Sequence, residues 1–355
     1  MKLQNHEKGY YDIWQRIIEI SKEEIQKIYE EINVEFDLWE GESDAAEYIE
    51  ELINILEEKN IVEESNGAKI INVEKPEDTK PMPPLLLVKS NKTVSYETTD
   101  LATILERQKK FAPDEIWYCV DGRQELHFDQ VFRAARMAKL VPDSTKLEFI
   151  GFGTMNGKDG KPFKTRDGGV MTLKGLIELV TDDIAKRINK EMVEEKDILE
   201  TSKNIAIATL KYTDLLPFRT TDYIFEVEKF SDFEGKTGPY LLYSTIRMNS
   251  LLEKAKNTPY NKINLLETKT EKEIAHILLR LPIILSKSLE IKSLNDISEY
   301  IYKLTALYNK FYSENKILTE KNEVLKESRL VLTKLVYDTN MFLLDILGIT
   351  VPKKM

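Results

Sequence analysis

The chain has few of the residues that form disulfides or bind transition metals. Its 355 residues include one cysteine, Cys119, and three histidines. A single cysteine cannot form an internal disulfide, which excludes the disulfide-rich secreted domains. So few cysteine and histidine ligands also argue against zinc, and we predict no protein metal site.

Long uncharged apolar runs are also missing. The densest apolar segments, Leu278–Leu285 and Met341–Leu347, are far shorter than the ~18 residues that suggest a membrane span. Charges throughout the first thirty residues argue against a signal peptide. A composition of 42% hydrophobic and 32% charged residues suits a folded protein with a proper core. We therefore expect a cytoplasmic protein of two to three domains with no membrane partner.

The net charge of −10 conceals an asymmetry between the two halves. Residues 201–355 contain 23 basic and 19 acidic residues, a balance of +4, so the first 200 residues carry −14. The uneven distribution of charge suggests that the two halves have different functions, although chance fluctuation in an acidic protein explains it equally well.

The first 160 residues mix helical and extended patterns. Periodicity predicts two helices between residues 10 and 31, separated by a cap at Ser21, and another over Asp44–Asn60. Alternating apolar residues predict a short strand at Asn33–Trp39. Further strands are predicted at Ile61–Val62, Ala68–Val73 and Leu85–Val88.

A regular alternation of helix and strand follows. We predict helices at Leu101–Lys110 and Glu125–Leu140, and buried strands at Glu115–Val120 and Leu147–Phe152. Because the connections are short and both strands are apolar, the pattern indicates a parallel sheet of the doubly wound kind. The fold class is therefore α/β in this half.

The second half is predicted to be helical. Strand patterns nearly vanish after Leu173, and the last helix, Leu330–Leu347, precedes the natural stop at Gly348. Apolar stripes predict core positions at Ile274, Ile277, Leu278 and Leu281, and at Ile297, Ile301, Leu304, Tyr308 and Phe311.

Polar side chains follow two predicted strands. Tyr96 and Asp100 lie four residues apart at the head of a helix, and Gln124 and His127 follow the strand Glu115–Val120. Because ligands bind at the carboxyl ends of parallel strands, this group suits a cationic, hydrogen-bond-donating ligand. The plainer alternatives are a packing tyrosine, a helix-capping aspartate and a satisfied histidine.

A second candidate is the loop Met155–Gly169, which is rich in glycine and basic residues. Lys164 and Arg166 could stabilise charge on a phosphate group, although the loop has no Walker A pattern. A solvated basic turn explains the same composition.

Several long motifs resemble the arginyl-tRNA synthetases. They are WYCVDGRQELHFDQVFRAARM, FIGFGTMNGKDGKPFKTRDGG, LKYTDLLPFRTTDYIFEVEKFSDFEGKTGPYLLYSTIR and, at the end, DILGITVPKKM. FDLWEGES near the start also matches, and the resemblance runs in order from about residue 10 to residue 355. It implies the second half of a Rossmann-type class I catalytic domain followed by an all-α anticodon-binding bundle.

The resemblance implies an arginine pocket. Asp100 and Tyr96 would face the guanidinium, and Gln124 would lie nearer the amino-acid backbone. Glu42 matches a further carboxylate of that pocket. A planar guanidinium pairs well with a carboxylate, and such a site discriminates against lysine.

The resemblance also implies an ATP site and a catalytic loop. The ATP-binding residues would be His127, Phe152, Gly153, Thr154 and Met155, with Met155 near the adenine. Lys161–Thr165 occupies the place of the class I KMSKS loop, so Lys164 would be the catalytic lysine and Lys161 would assist it. Mg²⁺ would accompany ATP.

For the second half, the resemblance implies tRNA-Arg as the partner. Tyr240, Tyr243 and Arg247 match residues presented to tRNA, although the two tyrosines could instead pack the core. The implied domains are residues 1–160, with an insertion at about 35–95; residues 161–203, the loop and connecting helices; and residues 204–355, of DALR type. The parent enzyme would be a monomer.

The departures from the family pattern are large. The HIGH motif and the N-terminal domain are missing, since no histidine stands in an H-x-G-H context. We therefore expect the C-terminal part of an arginine–tRNA ligase, inactive alone, with its missing N-terminal half as a further partner. The alternatives are a truncated relative that binds tRNA or arginine without catalysis, and a helical interaction protein.

Overall fold

The computed structural model describes residues 7–161, 171–188 and 193–355. They form two compact units. The α/β unit comprises residues up to Lys22 together with Phe36–Gly153, and the helical unit comprises Glu23–Glu35 together with Thr154–Met355. Each unit has its own apolar core.

The α/β unit contains two small sheets. The first is antiparallel, in the order β1 (Glu63–Ser65), β2 (Ala68–Ile71), β3 (Leu85–Val88). The second is a parallel pair, β4 (Glu115–Asp121) and β5 (Lys146–Phe152), in register from Glu115 opposite Lys146. Its helices are α1 (Lys8–Glu31), of which residues up to Lys22 belong to this unit, α2 (Ile49–Glu58), α3 (Tyr96–Phe111) and α4 (Glu125–Ala138). The predicted parallel α/β arrangement is confirmed.

Hydrogen bonds to the end of β3 fix the start of helix α3. The Ser95 backbone N–H donates to the Leu87 carbonyl at 3.0 Å. The Ser95 hydroxyl caps the helix by accepting from the Thr98 N–H, and the Thr98 hydroxyl donates to the same Leu87 carbonyl at 2.7 Å. The first turn of α3 is therefore tied to the sheet.

Helix α4 is anchored along its length. Arg133 makes a bidentate ion pair with Asp78, with N–O distances of 2.6 and 2.9 Å, and the Gln130 amide donates to the Pro83 carbonyl at 2.7 Å. Phe128 and Val131 are buried in the core of this unit. The start of α4 is thus held in place for the side chains described below.

Three predictions for the first 65 residues are wrong in detail. Helix α1 continues through Ser21 without a break, because strong helix formers such as Glu24 and Lys27 surround it and pair along the helix. Residues 33–39 form no strand, since the alternation finds no partner strand. The strand predicted at Ile61–Val62 lies at Glu63–Ser65, because the tight Asn66–Gly67 turn pairs Ser65 with Ala68.

The helical unit is built mostly from α-helices, as predicted. They are α5 (Leu173–Arg187), α6 (Ile198–Leu215), α7 (Val227–Phe230), α8 (Gly238–Lys254), α9 (Lys269–Leu278), α10 (Leu281–Ile291), α11 (Asn295–Glu314) and α12 (Glu323–Ile346). A short parallel pair, β6 (Met155–Asn156) and β7 (Tyr223–Ile224), accompanies them. The predicted stripe on α11 is buried, and the stop at Gly348 has a positive φ of 65°.

Two contacts fix how the helices of this bundle pack against each other. A Cβ atom at Gly238 would lie 2.6 Å from the Ala208 carbonyl oxygen, so α6 and α8 touch backbone to backbone. In the core, the Asn340 amide donates to the Thr305 and Thr245 hydroxyls at 2.9 and 3.3 Å. That polar contact joins α8, α11 and α12 in a single arrangement.

A buried ion network lies between α9 and α12. Arg329 is 5% exposed, and its Nε donates to Glu271 at 2.7 Å while its Nη1 donates to Glu320 at 2.7 Å. The other Glu271 oxygen accepts the N–H groups of Glu267 and Thr268. All the charges of this network therefore have partners.

Candidate functional site

Three predicted site residues meet in the α/β unit. Tyr96 and Asp100 stand one turn apart on α3, and His127 is the third residue of α4. The His127 Nε2 atom lies within hydrogen-bond distance of Asp100 Oδ2, at 2.6 Å, and the Tyr96 ring lies 4.9 Å from the imidazole ring, centre to centre. We call these residues the Asp100 cluster.

The Asp100 cluster combines an anionic group with a neutral phenol. Desolvation, followed by the nearby Glu97 carboxylate, raises the pKa of Tyr96, so its hydroxyl keeps its proton near neutral pH. The Asp100 Oδ1 atom makes no hydrogen bond to any described residue. The cluster can therefore accept hydrogen bonds from a cationic ligand on Asp100 while presenting the Tyr96 ring, which is 58% exposed, beside it.

No hydrogen bond or ring contact among the described residues joins Gln124 or Glu42 to the Asp100 cluster. Gln124 precedes α4 and is exposed, and its amide makes no hydrogen bond to the described residues. Glu42 is also exposed, and its neighbour Glu40 pairs at 3.1 Å with Lys110, near the far end of α3 from Tyr96. Their roles stay predictions.

The carboxyl ends of β4 and β5 approach each other closely. A Cβ atom at Gly122 would lie 3.3 Å from the Phe152 carbonyl oxygen, and Phe152 is half exposed at the strand end. Next to them, the Arg123 guanidinium holds the Asp121 carboxylate through two bonds of 2.8 and 2.6 Å and lowers the pKa of Asp121 to about 2. Sequence reasoning missed this ion pair, whose Asp-x-Arg spacing was the available indication.

The predicted ATP-binding stretch crosses the division between the units. Phe152 and Gly153 end the α/β unit, whereas Thr154 and Met155 begin the helical unit. The Thr154 N–H and hydroxyl both donate to Asp222 Oδ1, at 2.7 and 3.0 Å, and Met155 packs partly buried against the helical core. His127, also predicted for this group, is hydrogen-bonded to Asp100, and its role at ATP stays a prediction.

The predicted catalytic loop is described only at its start. Lys161 is exposed, and its carbonyl accepts the Gly157 N–H at 2.8 Å in a tight turn. Lys164 lies outside the described residues.

The predicted RNA-contacting residues lie on α8. Tyr243 is 42% exposed, and the Arg247 guanidinium lies 5.7 Å from its ring centre. Tyr240 is partly buried: its hydroxyl accepts from the Asn309 amide at 2.8 Å, and burial raises its pKa. The core-packing alternative thus describes Tyr240 better than Tyr243.

Sequence reasoning missed the second half of this surface, on α11. Tyr312 is 36% exposed, and the Arg247 guanidinium lies 4.7 Å from its ring centre. Arg247 also donates to the Asn309 side chain. Tyr243, Arg247 and Tyr312, which we call the α8–α11 aromatic surface, place a cation between two ring faces. The pairing of Tyr308 with Tyr312 at helical spacing was the only indication.

Metal and membrane features are absent from what the structure describes. Residues 7–161, 171–188 and 193–355 contain no cluster of three or more His, Cys, Asp or Glu side chains able to hold a metal ion. Within the same ranges, every helix is too short or too polar to cross a bilayer.

Comparison with known families accounts for nearly the whole chain. Residues 1–227 match the family described as tRNA synthetases class I (R), catalytic domain, and residues 241–355 match the DALR anticodon binding domain. The arginine–tRNA ligase of Alkaliphilus oremlandii is 40% identical over 358 aligned residues, and that of Agathobacter rectalis is 38% identical over 367. Both alignments cover 100% of this chain but only 61% and 62% of the relatives.

Solved structures show the same fold. The arginyl-tRNA synthetase of Plasmodium falciparum superposes with a TM-score of 0.84 at 24% identity, covering 100% of this chain and 60% of that one. The Thermus thermophilus arginyl-tRNA synthetase gives 0.80 at 21% identity, covering 93% and 62%. The chain therefore spans about three fifths of the proteins it matches.

Proposed function

The chain belongs to the class I arginyl-tRNA synthetase family, and we propose that it supplies the arginine pocket and the tRNA-binding bundle of an arginine–tRNA ligase. The observation that carries this proposal is the Asp100 carboxylate, fixed by His127 through one oxygen and open to a ligand through the other. A guanidinium is planar and donates paired hydrogen bonds, so it suits such a carboxylate better than an ammonium does.

The remaining pocket residues are assigned by the same chemistry. The Tyr96 ring offers an exposed apolar and phenolic wall for the arginine side chain. Gln124, exposed at the carboxyl end of β4, has an amide that can bind the amino-acid backbone, and Glu42 would add a second carboxylate. This arrangement leaves the arginine carboxylate to face ATP.

The reaction follows from the substrates. A carboxylate oxygen of arginine attacks the α-phosphorus of ATP, forming arginyl-adenylate and releasing pyrophosphate. A hydroxyl of the terminal adenosine of tRNA then attacks the acyl carbon, loses its proton and releases AMP. Positioning and charge stabilisation supply the catalysis, with Phe152, Gly153, Thr154 and Met155 at the ATP and Lys161 and Lys164 at its phosphates.

Mg²⁺ would arrive on the phosphates of ATP. The described residues offer no carboxylate group built to hold the ion, so we assign it no protein ligand and no step.

The helical unit would contact tRNA-Arg through the α8–α11 aromatic surface. Half-exposed tyrosine rings can stack on unpaired bases, and the Arg247 cation between them suits the phosphate backbone. We assign residues 1–160 to the catalytic domain, 161–203 to the loop and its connecting helices, and 204–355 to the anticodon-binding domain. We further propose a cytoplasmic, monomeric parent enzyme.

A second candidate is a relative that binds arginine or tRNA without catalysis. It is favoured by the extent of the match, since the chain spans only 61% and 62% of the two ligases. Each preorganised donor to a developing charge is worth roughly 10²–10³ in rate, so such a relative, without those donors, would activate arginine close to background.

ATP–pyrophosphate exchange separates the two candidates. The purified chain with arginine and tRNA should give no arginine-dependent exchange above blank. Adding the N-terminal two fifths of the Alkaliphilus oremlandii ligase as a separate polypeptide should restore exchange if this chain is the complementary part. Lys164→Ala is the matched control, because it should lower kcat in the mixture and leave the arginine KM nearly unchanged. Absence of exchange in the mixture would favour the non-catalytic candidate.

A further inference from the structure

We infer that His127 is a positioning residue of the arginine pocket: its imidazole holds Asp100 so that the other carboxylate oxygen meets the guanidinium. This inference rests on the proposed function and reassigns a residue whose family resemblance placed it at ATP. It concerns how Asp100 is presented rather than a new contact with substrate.

The hydrogen bond fixes which nitrogen carries the proton. An ionised carboxylate can only accept, so at 2.6 Å from Asp100 Oδ2 the His127 Nε2 atom must be the donor. The tautomer follows from this assignment and not from an observed hydrogen. Both side chains are mostly buried, at 13% and 27% exposed, so water competes weakly for the bond.

The other imidazole nitrogen does not orient the ring. His127 Nδ1 is buried and has no hydrogen-bond partner among the described residues. Within the part of the chain that the structure describes, the ring is therefore oriented by its Nε2 bond to Asp100.

Aromatic neighbours hold the ring from two sides. The Tyr96 ring centre is 4.9 Å from that of His127, and the Phe128 ring stands edge-on at 4.8 Å. The imidazole therefore packs against one ring from α3 and one from α4, and its N–H points at one oxygen of Asp100. A carboxylate fixed in this way loses little rotational freedom when a planar guanidinium binds. Its fixed orientation therefore favours arginine over lysine, whose ammonium group can rotate.

Two variants separate the donor from the ring. His127→Phe keeps an aromatic wedge but removes the N–H, whereas His127→Gln removes the ring and can keep an N–H near Asp100. ¹⁵N-histidine NMR of the whole chain, which has three histidines, should show His127 with its proton on Nε2, and Asp100→Asn should change that signal. A proton on Nδ1, or no response to Asp100→Asn, would overturn the inference.

Binding measurements complete the test. By ligand-observed NMR with the chain, and with the N-terminal part of the Alkaliphilus oremlandii ligase added, His127→Phe should weaken arginine binding about tenfold, and His127→Gln about threefold or less. ATP binding should be unchanged in both variants, and His276→Phe is the control. Unaltered arginine binding in His127→Phe, or weaker ATP binding in its place, would overturn the inference. Wild-type protein that binds no arginine in either form would instead overturn the proposed function, and this inference with it.

Discussion

In the α/β unit, Asp100 and His127 meet through a single hydrogen bond between two helix starts, whereas in the helical unit Tyr243, Arg247 and Tyr312 meet through ring faces. The first arrangement depends on one proton and one side-chain orientation, so isosteric changes should damage it. The second depends on apolar area and charge, so only the loss of a ring or of the cation should matter. The proposed site for a small, planar ligand and the proposed site for a flexible polymer are thus built by different interactions.

The same contrast extends to stability, where we expect the largest effect. Arg329→Met should destabilise the helical unit by about 3–5 kcal/mol, because it leaves the fully buried Glu271 without its cation. Denaturant unfolding followed by circular dichroism measures the loss. The matched control is Lys334→Met on the same helix, whose ion pair with Asp338 is exposed and worth at most about 1 kcal/mol. Equal effects of the two variants would refute the prediction.

Tryptophan fluorescence sharpens that experiment. All three tryptophans, Trp14, Trp39 and Trp117, belong to the α/β unit. Arg329→Met should therefore move the circular dichroism midpoint more than the fluorescence midpoint.

Asp100→Asn tests the orientation-dependent site. The substitution keeps the shape of the side chain but removes its charge pair with the guanidinium. Arginine affinity should therefore fall by roughly 2–4 kcal/mol in the active form of the protein. Gln124→Ala should cost less. An unchanged arginine KM and kcat in Asp100→Asn would contradict the assignment of the pocket.

Tyr243→Ala tests the ring-dependent site. tRNA binding should weaken by about 1–3 kcal/mol if the ring stacks on a base, and Tyr312→Ala should have a similar effect. Filter binding at several salt concentrations would measure both, since phosphate contacts give a steep salt dependence. Phe342→Ala, which removes another exposed aromatic ring, on α12, is the control. A variant that loses thermal stability but keeps tRNA affinity would instead support a packing role.

The smallest effect should come from Asp121. Arg123 and a backbone N–H lower its pKa to about 2, so this carboxylate contributes stability that is present above its ordinary pKa and is lost as the pH falls toward 2. Arg123→Ala should raise the pKa of Asp121 toward its ordinary value, as followed by ¹³C NMR of the carboxyl group. A flat response between pH 5 and pH 2 in both proteins would contradict this.

The periodicity of apolar residues predicts most of the helices and strands. The strands Glu115–Asp121 and Lys146–Phe152 and the helix Glu125–Ala138 between them agree with the predictions within a few residues, because buried parallel strands and amphipathic helices leave strong local patterns. The predictions at Ser21 and at residues 33–39 are wrong, since helix continuation and strand pairing depend on neighbours that a local pattern does not contain.

The candidate sites divide in the same manner. Tyr96 and Asp100 were placed on one helix face by their spacing alone. The bond from His127 to Asp100 joins residues 27 positions apart, and the contact of Arg247 with Tyr312 spans two helices, so neither could be read from spacing. Long-range partners of polar side chains are the part of a site that a single sequence conceals.

The backbone contact at Gly238 has a consequence for how the α8–α11 aromatic surface would meet the proposed RNA partner. Because not even a methyl group fits between Gly238 and Ala208, α6 and α8 cannot slide past each other, and Tyr243 stands only five residues along α8. The rise of an α-helix places it about 7.5 Å from that contact, so thermal motion should carry both helices together as one stiff body. An approaching RNA would then meet a surface already in its binding geometry, and the entropy lost on association would come mainly from the nucleic acid.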